Sequence, residues 1–408
     1  MLNAPSDAAD PTAVTGAAYA DRMAVWDELT GQSEAIAIFE AAASASSFGG
    51  SGNSSMTHSW LITGPPGSGR SNLAYAFATA LLSPGTPEGD EATRRQVAAR
   101  SHPDLAVLAT ERVIISIDEV RTLLSSSYYS PSVGRYRVMV IEDADRMTER
   151  TSNLLLKALE EPPPRTVWIL CTPSEADLLP TIRSRVRSVR LRVPTVDDVA
   201  TLISRRDNVD LATGTRAARE AQSHIGMAHR LATNEDARSR RARTLQIALG
   251  IRSVSQAVVA AGALLELAGE DAKAITVERD AEERESALRS LGVEAGGTIP
   301  PALRAQLKNL EEDQKRRATR SLRDGIDRIM VDLLSLYRDI LLMQLGVTTE
   351  PINLSIFSEI ERASRLCTPQ ETLATMDAIA TARRRIESNV TPALSLEAML
   401  MSARRKSD

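Results

Sequence analysis

The stretch GPPGSGRS, from Gly64 to Ser71, directly follows the apolar run Trp60–Thr63 and precedes a helix-forming segment. A strand, a glycine-rich turn and a helix in this order form the phosphate loop of nucleotide-binding proteins, whose pattern is G-x-x-x-x-G-K-[ST]. Glycines let backbone N–H groups approach phosphate oxygens closely, and the helix N-terminus adds partial positive charge. The predicted cradle is built on Gly64, Gly67, Gly69 and Ser71.

Two departures from the usual pattern indicate that this site does not turn ATP over. Arg70 stands where lysine is expected, and its planar guanidinium keeps the charge but changes where the charge lies. After the strand Val138–Ile141, the order is Glu142 then Asp143, whereas Asp then Glu is the order that holds Mg²⁺ and polarises water. The intact glycines still favour weak binding of ATP or ADP with Mg²⁺, without hydrolysis.

The rest of the chain predicts an α/β module followed by helices. Two buried-strand candidates, Val138–Ile141 and Val167–Cys171, are separated by the helical run Thr148–Glu161. Strands that alternate with helices indicate a parallel sheet with covered faces. Beyond Pro194, the capping box TVDD (Thr195–Asp198) opens a helix and no strand signal recurs.

Composition limits the class of protein. The chain has 408 residues, is 43% hydrophobic and 25% charged, and so exceeds what one core usually organises. A net charge of -4 and a pI near 5.8 exclude a surface that is basic throughout. Aromatic residues make up only 3% of the chain, which argues against stacking platforms for single-stranded nucleic acid.

Cysteine content and hydropathy predict a cytoplasmic protein. Cys171 and Cys367 are the only two cysteines, too few for a disulfide framework or a four-thiolate zinc site, so we expect free thiols and no metal site of this kind. No apolar run approaches the roughly 20 residues that span a bilayer. The N-terminus lacks the basic start and apolar core of a signal peptide.

Other charged and apolar segments have structural interpretations. Ser321–Leu345 carries apolar residues at steps of three and four, which predicts a helix with one face buried in its domain or against a neighbour. The cationic runs Arg238–Arg243 and Lys315–Arg320 lie among carboxylates, a pattern that favours solvated helix faces, with DNA contact as the alternative.

Two pairs of acid–base candidates are also assigned to structure. His102 and Asp104 flank a proline in a predicted loop, which favours a capping or turn role. Glu160 and Glu161 precede two prolines and mark the end of a helix. We assign catalysis to neither pair.

Taken in order, the motifs resemble the bacterial clamp-loader AAA+ family, and most of all the delta-prime subunits of DNA polymerase III. Besides the phosphate loop, the resemblance rests on VWDELTGQ (Val25–Gln32), HPDL (His102–Leu105), ISIDEVR (Ile115–Arg121), VMVIEDADRM (Val138–Met147), SNLLLKALEEPP (Ser152–Pro163) and TIRSRV (Thr181–Val186). NVTPALSLEAML, residues 389–400, is similar to the end of the family's collar domain. The resemblance therefore covers nearly the whole chain.

The resemblance implies a domain order and a division of labour. It implies a flexible tail (1–20), an α/β AAA+ P-loop module with a parallel sheet (21–192), a small helical lid (193–236) and an all-helical collar for oligomerisation (237–408). In this family delta-prime is a rigid stator, while the tau/gamma subunits hydrolyse ATP.

The resemblance also implies roles for three residues. Ser184 and Arg185 match a Ser-Arg-Cys motif whose arginine reaches across the subunit boundary to a neighbour's ATP, with Val186 in place of the cysteine. Thr172 matches the first sensor position, which contacts a phosphate or water. The lid run Ser223–Arg230 gives no clean match to the Gly-x-x-Arg sensor of motor subunits.

The implied partners are the delta and tau/gamma subunits of a hetero-oligomeric ring, with the sliding clamp and primer-template DNA reached through the complex and no membrane contact. The family's optional zinc module is not expected, because residues 83–101 contain no cysteine. Two alternatives remain, a tau/gamma-like ATPase motor and an unrelated AAA+ remodelling ATPase. Arg70 and the Glu142-Asp143 order favour the stator, a subunit that is not an active ATPase by itself.

Overall fold

The computed structural model describes residues 26, 29–47, 55–110, 114–290, 301–388 and 390–403, and the predicted flexible tail lies outside them. In this part of the chain, five strands form one parallel sheet with the order β2-β3-β4-β1-β5. The strands are β1 (Ser59–Thr63), β2 (Leu105–Leu108), β3 (Arg137–Ile141), β4 (Thr166–Thr172) and β5 (Arg187–Arg190). The predicted parallel sheet is confirmed.

Alternating side chains along each strand face two separate helical layers, as the period of two requires. On one face, Trp60 packs with Phe39 and Phe77, whose ring centroids lie 4.9 and 5.5 Å from that of the indole. On the other face, Leu61 and Trp168 belong to a second core cluster. Because both faces are covered, apolar residues fill the middle of β1, β3 and β4.

In the described residues before 234, nine α-helices accompany or follow the sheet. They are α1 (Ser33–Ser47), α2 (Arg70–Leu82), α3 (Pro87–Ala98), α4 (Ile117–Ser127), α5 (Glu149–Glu160), α6 (Pro180–Arg183), α7 (Val196–Asp207), α8 (Leu211–Glu220) and α9 (Ile225–Thr233). The predicted capping box at α7 is confirmed, since Thr195 Oγ1 accepts from the N–H of Asp198 and the Asp198 carboxylate accepts from the N–H of Thr195.

The chain divides into two compact units between His229 and Arg230. The helices of the second unit are α10 (Glu235–Leu249), α11 (Val254–Ser290), α12 (Pro301–Gln344), α13 (Phe357–Arg365), α14 (Pro369–Glu387) and α15 (Pro392–Ser402). No strand lies in the described residues of this unit, which confirms the predicted helical C-terminal region. None of the described helices contains a stretch long and apolar enough to cross a bilayer.

The predicted apolar stripe of Ser321–Leu345 lies on α12 and is buried within the second unit. Ile326, Leu333 and Ile340 are fully buried in the core of this unit. The stripe is therefore accounted for by packing inside the second unit.

The prediction that both cationic runs are solvated helix faces is wrong for two of their arginines. Arg241, in the run Arg238–Arg243, is 7% exposed and its Nε lies 2.9 Å from Asp332 Oδ1. Arg317, in the second run, is 8% exposed and pairs with Asp280 at 2.6 Å. A buried guanidinium requires a carboxylate partner, so these arginines hold the helices of the second unit together.

The predicted turn role of His102 and Asp104 is confirmed. The N–H of Asp104 donates to His102 Nδ1 at 3.1 Å. The fully buried Asp104 carboxylate accepts from the N–H groups of Ser132, Val133 and Gly134 at 2.6 to 2.8 Å, and from the Ser132 hydroxyl at 2.9 Å. The carboxylate thus fixes the loop that leads into β3.

Candidate functional site

The glycine-rich stretch forms a tight loop at the carboxyl end of β1. Gly67 and Gly69 have φ values of 79° and 90°, in the left-handed region that glycine adopts without strain. Helix α2 begins at Arg70, and its N-cap residue Gly69 makes no side-chain capping bond. Because β1 lies between β4 and β5, the loop occupies the interior of the sheet's carboxyl edge, where α/β proteins bind ligands.

A histidine of the predicted lid packs on this loop. A Cβ atom at Gly67 would lie only 2.3 Å from His224 Cγ, so the imidazole lies directly against the Gly67 backbone. The N–H of Ile225 also points to the Gly67 carbonyl, at 3.4 Å. His224 Nδ1 accepts from the N–H of Met227 at 3.2 Å, which caps α9. The sequence analysis missed His224, since nothing in its neighbourhood along the chain indicates this contact.

Depending on the alignment, the arginine position of the Gly-x-x-Arg sensor falls on Gly226 or His229, and neither residue supplies a guanidinium. Gly226 has no side chain, and its nearest neighbours are atoms of the His224 ring. His229 Nδ1 lies 2.7 Å from Asp207 Oδ2.

Arg70 folds back onto the loop that it follows. Its Nη1 donates to the carbonyl oxygen of Gly64, the first residue of the loop. A lysine ammonium at this position would instead be a compact charge on a flexible stem, free to reach an outer phosphate. The charge predicted at Arg70 is present, but it is directed at the protein's own backbone.

Glu142 is the centre of a network that the sequence analysis did not predict. Ser71 Oγ donates to Glu142 Oε2 at 3.0 Å, and the Tyr75 hydroxyl donates to Oε1. The Nη2 atom of Arg100 lies 2.7 Å from the same Oε1. Burial, and then the hydrogen bond to Glu142, raises the pKa of Tyr75 far above its usual value, so the phenol stays protonated and remains a donor.

The other two carboxylates of this segment, Asp143 and Asp145, also interact with neighbouring charged groups. Asp143 Oδ2 lies 3.6 Å from Arg146 Nε. Burial, together with the nearby charge of Asp143, raises the pKa of Asp145. Ser71, Glu142 and Asp143 were predicted to belong to a site that binds ATP or ADP weakly with Mg²⁺. In this arrangement the carboxylates are engaged by hydroxyl groups and arginines, so none of them is free to hold the ion.

Thr172 is directed into a turn. This residue is fully buried at the end of β4, and its Oγ1 lies 3.2 Å from the carbonyl of Ser174 and 3.3 Å from Asp177 Oδ2. The single hydroxyl proton is therefore used to fix the turn that follows the strand. The structure places Thr172 beside Thr63, the last residue of β1.

Gln32 ties the segment before α1 to the loop. Its side-chain amide donates to the carbonyl of Arg192 at 2.8 Å and points to that of Ser68 at 3.4 Å. Its Oε1 accepts from the N–H of Arg192 at 3.1 Å. Gln32 was part of a recognised motif without an assigned role, and the structure assigns it a role in positioning the loop.

Arg185 and Ser184 form a second cluster, which shares no residue with the Glu142 network. Arg185 Nη1 donates to the Thr181 carbonyl at 2.9 Å and lies 3.2 Å from Ser184 Oγ. Both Nε and Nη2 lie 3.3 Å from Oε2 of Glu160, a side chain that is 58% exposed. An ion pair to an exposed carboxylate is weak, so the guanidinium is oriented but remains available to a stronger anion.

No side-chain cluster suited to a metal ion was found among the residues that the structure describes. Such a cluster would need three or more His, Cys, Asp or Glu side chains. Cys171 is buried behind the loop, where its Sγ lies 3.9 Å from the Arg70 carbonyl, and Cys367 lies in the second unit.

Part of the first unit is similar to subunits of DNA polymerase III. A family described as "DNA polymerase III, delta subunit" matches residues 49–195. The delta-prime subunit of DNA polymerase III from Pseudomonas aeruginosa is 35% identical over 140 residues, which cover 33% of this chain and 43% of the relative. The gamma/tau subunit from Mycobacterium bovis is 29% identical over 143 residues, which cover 34% of this chain and 25% of the relative. The resemblance to delta-prime is confirmed, over less than half of each relative's length.

A solved structure covers more of the chain at lower similarity. The gamma subunit-related protein of Thermotoga maritima covers 90% of this chain, and 98% of its own, with 17% identity and a TM-score of 0.41. That score is too low to carry the fold assignment, which rests on the strand order and the helical second unit.

Proposed function

We propose that the chain is the delta-prime stator of the DNA polymerase III clamp loader. In this role it helps to load the sliding clamp onto primed DNA and supplies Arg185 to the ATP site of a neighbouring subunit. The observation that carries the proposal is the state of the chain's own site, where Arg100 and Tyr75 occupy Glu142 and Arg70 turns back onto Gly64. A motor subunit needs these groups for the phosphates and the metal.

The geometry of Arg185 supports action in trans. Its side chain is 31% exposed, and its fork is held by the Thr181 carbonyl and Glu160. A guanidinium fixed at the surface in this way suits a phosphate that develops charge on the other side of an interface, because little ordering remains to be done. Ser184, whose Oγ donates to Thr181 at 3.1 Å, is assigned a positioning role.

The proposed partners are the delta and tau/gamma subunits in a hetero-oligomeric ring, with the clamp and the primer-template DNA contacted through the complex. Large apolar side chains on the second unit support its use in assembly. Val259, Val277, Leu345 and Leu394 are each 59 to 73% exposed. We expect some of these residues to contribute to subunit contacts, because burial of apolar surface stabilises an interface.

The proposed function includes weak nucleotide binding at the chain's own loop. Gly67 and Gly69 have the positive φ values that a tight glycine-rich loop requires. We propose that ATP or ADP binds here weakly, without the expected Mg²⁺ and without hydrolysis. Backbone N–H groups supply affinity, but no free carboxylate is left to orient water.

The alternative is a tau/gamma-like ATPase motor, and the similarity to a gamma/tau subunit supports it. Steady-state phosphate release from the isolated chain separates the two functions. We expect no release above background, because Glu142 and Arg70 are both committed to internal contacts. A turnover of about 1 per second, within the usual range for ATPases, that is abolished in Arg70→Ala would establish the motor instead. The exposed Arg95→Ala is the matched control.

A further inference from the structure

We propose that the Arg100 guanidinium, by pairing with Glu142, prevents a divalent metal ion from binding to Ser71 and Glu142. The inference concerns the chain's own loop and is independent of Arg185. It predicts that the loop retains a latent metal-nucleotide site, which the removal of one guanidinium opens.

The separation of the two oxygen atoms, which are joined by a hydrogen bond, would also suit two neighbouring ligands of a metal ion. In an octahedral Mg²⁺ site with bonds of about 2.1 Å, neighbouring ligand oxygens lie about 3.0 Å apart. Ser71 Oγ and Glu142 Oε2 are 3.0 Å apart. The geometry of the pair is therefore compatible with a shared cation. The obstacle is the positive charge that is paired with the other carboxylate oxygen of Glu142.

Arg100 supplies that charge. Its Nη2 lies 2.7 Å from Glu142 Oε1, and its guanidinium carbon lies 5.5 Å from the centre of the Tyr75 ring. The phenol adds a hydrogen bond to the same oxygen without adding charge. One positive charge and two hydroxyl donors thus balance the carboxylate, whose side chain is only 15% exposed. A divalent ion would have to displace the guanidinium to bind.

Arg100 has an unusual backbone conformation at the end of α3. Arg100 follows the last turn of α3 with φ at 55°, a left-handed conformation that costs a non-glycine residue energy. Its N–H donates to the Val97 carbonyl and the N–H of Ser101 donates to that of Gln96, so the helix end holds the conformation. The side chain is 50% exposed, which leaves it free to move aside once its carboxylate has another partner.

The experiment measures the affinity of the full chain for ADP by calorimetry, in Mg²⁺ and in EDTA. In the wild-type chain we expect no gain in affinity from Mg²⁺. In Arg100→Gly, which accepts the left-handed φ, Mg²⁺ should tighten ADP binding by about tenfold. Arg100→Lys retains the cation and should behave as the wild type.

Arg95→Ala, on the exposed side of α3, is the control for the loss of an arginine near this helix end. Circular dichroism and melting establish that each variant is folded, and Arg100→Asn, which also tolerates positive φ, replaces glycine if the helix end loosens. A wild-type chain that already gains tenfold from Mg²⁺ would overturn the proposal. A folded Arg100→Gly chain that binds no ADP, or binds it equally in EDTA, would overturn it too.

Discussion

In a clamp loader reconstituted with Arg185→Ala, ATP hydrolysis at the one site that this arginine serves is expected to fall about 10³- to 10⁵-fold, the range typical of arginine fingers. The total ATPase rate should fall only by the share of that site, because the other sites keep their own arginines. Clamp loading should fall further, since it requires the sites to act together. The measurements are steady-state phosphate release and loading of labelled clamp on primed DNA.

Folding and assembly of Arg185→Ala should be unchanged, because the lost contacts are an exposed carboxylate and two atoms of the adjoining turn. The matched control is Arg183→Ala, an exposed arginine two residues earlier, which should leave both rates near those of the wild type. Incorporation of each variant is checked by gel filtration. Unchanged rates with Arg185→Ala incorporated would remove this residue from the site.

Asp104→Ala is expected to lower the free energy of unfolding of the first unit by about 3 kcal/mol or more. The substitution removes a fully buried carboxylate and leaves the N–H groups of Ser132, Val133 and Gly134 without their acceptor. The measurement is urea unfolding followed by tryptophan fluorescence. All three tryptophans, Trp26, Trp60 and Trp168, are buried in the first unit, so the signal reports this unit alone.

The effect of Asp104 should depend on pH in a defined direction. Burial would by itself raise the pKa of Asp104, but the hydrogen bonds from Gly134, Ser132 and Val133 outweigh burial and lower it. An unfolded aspartate titrates at about pH 3.9, so the stabilisation is complete above that pH and is lost as the pH falls through the lower folded value. Asp118→Ala, at a carboxylate that is 92% exposed, is the control. An equal loss in both variants at pH 7 would contradict the buried role.

The sequence predicted the elements whose signal is local. Strands β1, β3 and β4 are short apolar runs, buried on both faces, and each was predicted to within two residues of its bounds. The edge strand β5 was not predicted, because only Val189 of its four residues is buried. Helix α3 was not predicted, since its segment begins with proline and glycine and its charge obscures the helical pattern.

In the candidate site too, features with a local sequence signal were predicted and features that depend on distant residues were not. The loop from Gly64 to Ser71 was predicted because a phosphate loop is one continuous stretch. The partners of Glu142 were not, because Tyr75 and Arg100 lie 67 and 42 positions away along the chain and carry no motif. Their proximity depends on the pairing of β3 with its neighbours and on the position of α2 against the sheet.

Action in trans by Arg185 is tested most directly by single-turnover ATP hydrolysis in the complex, with tau/gamma subunits that each carry ATP and with either wild-type or Arg185→Ala chain. The wild-type complex should show one rate for all sites. The Arg185→Ala complex should show the same fast phase with a reduced amplitude, plus a slow phase whose amplitude corresponds to one site. A single fast phase of full amplitude in both complexes would contradict the proposed role.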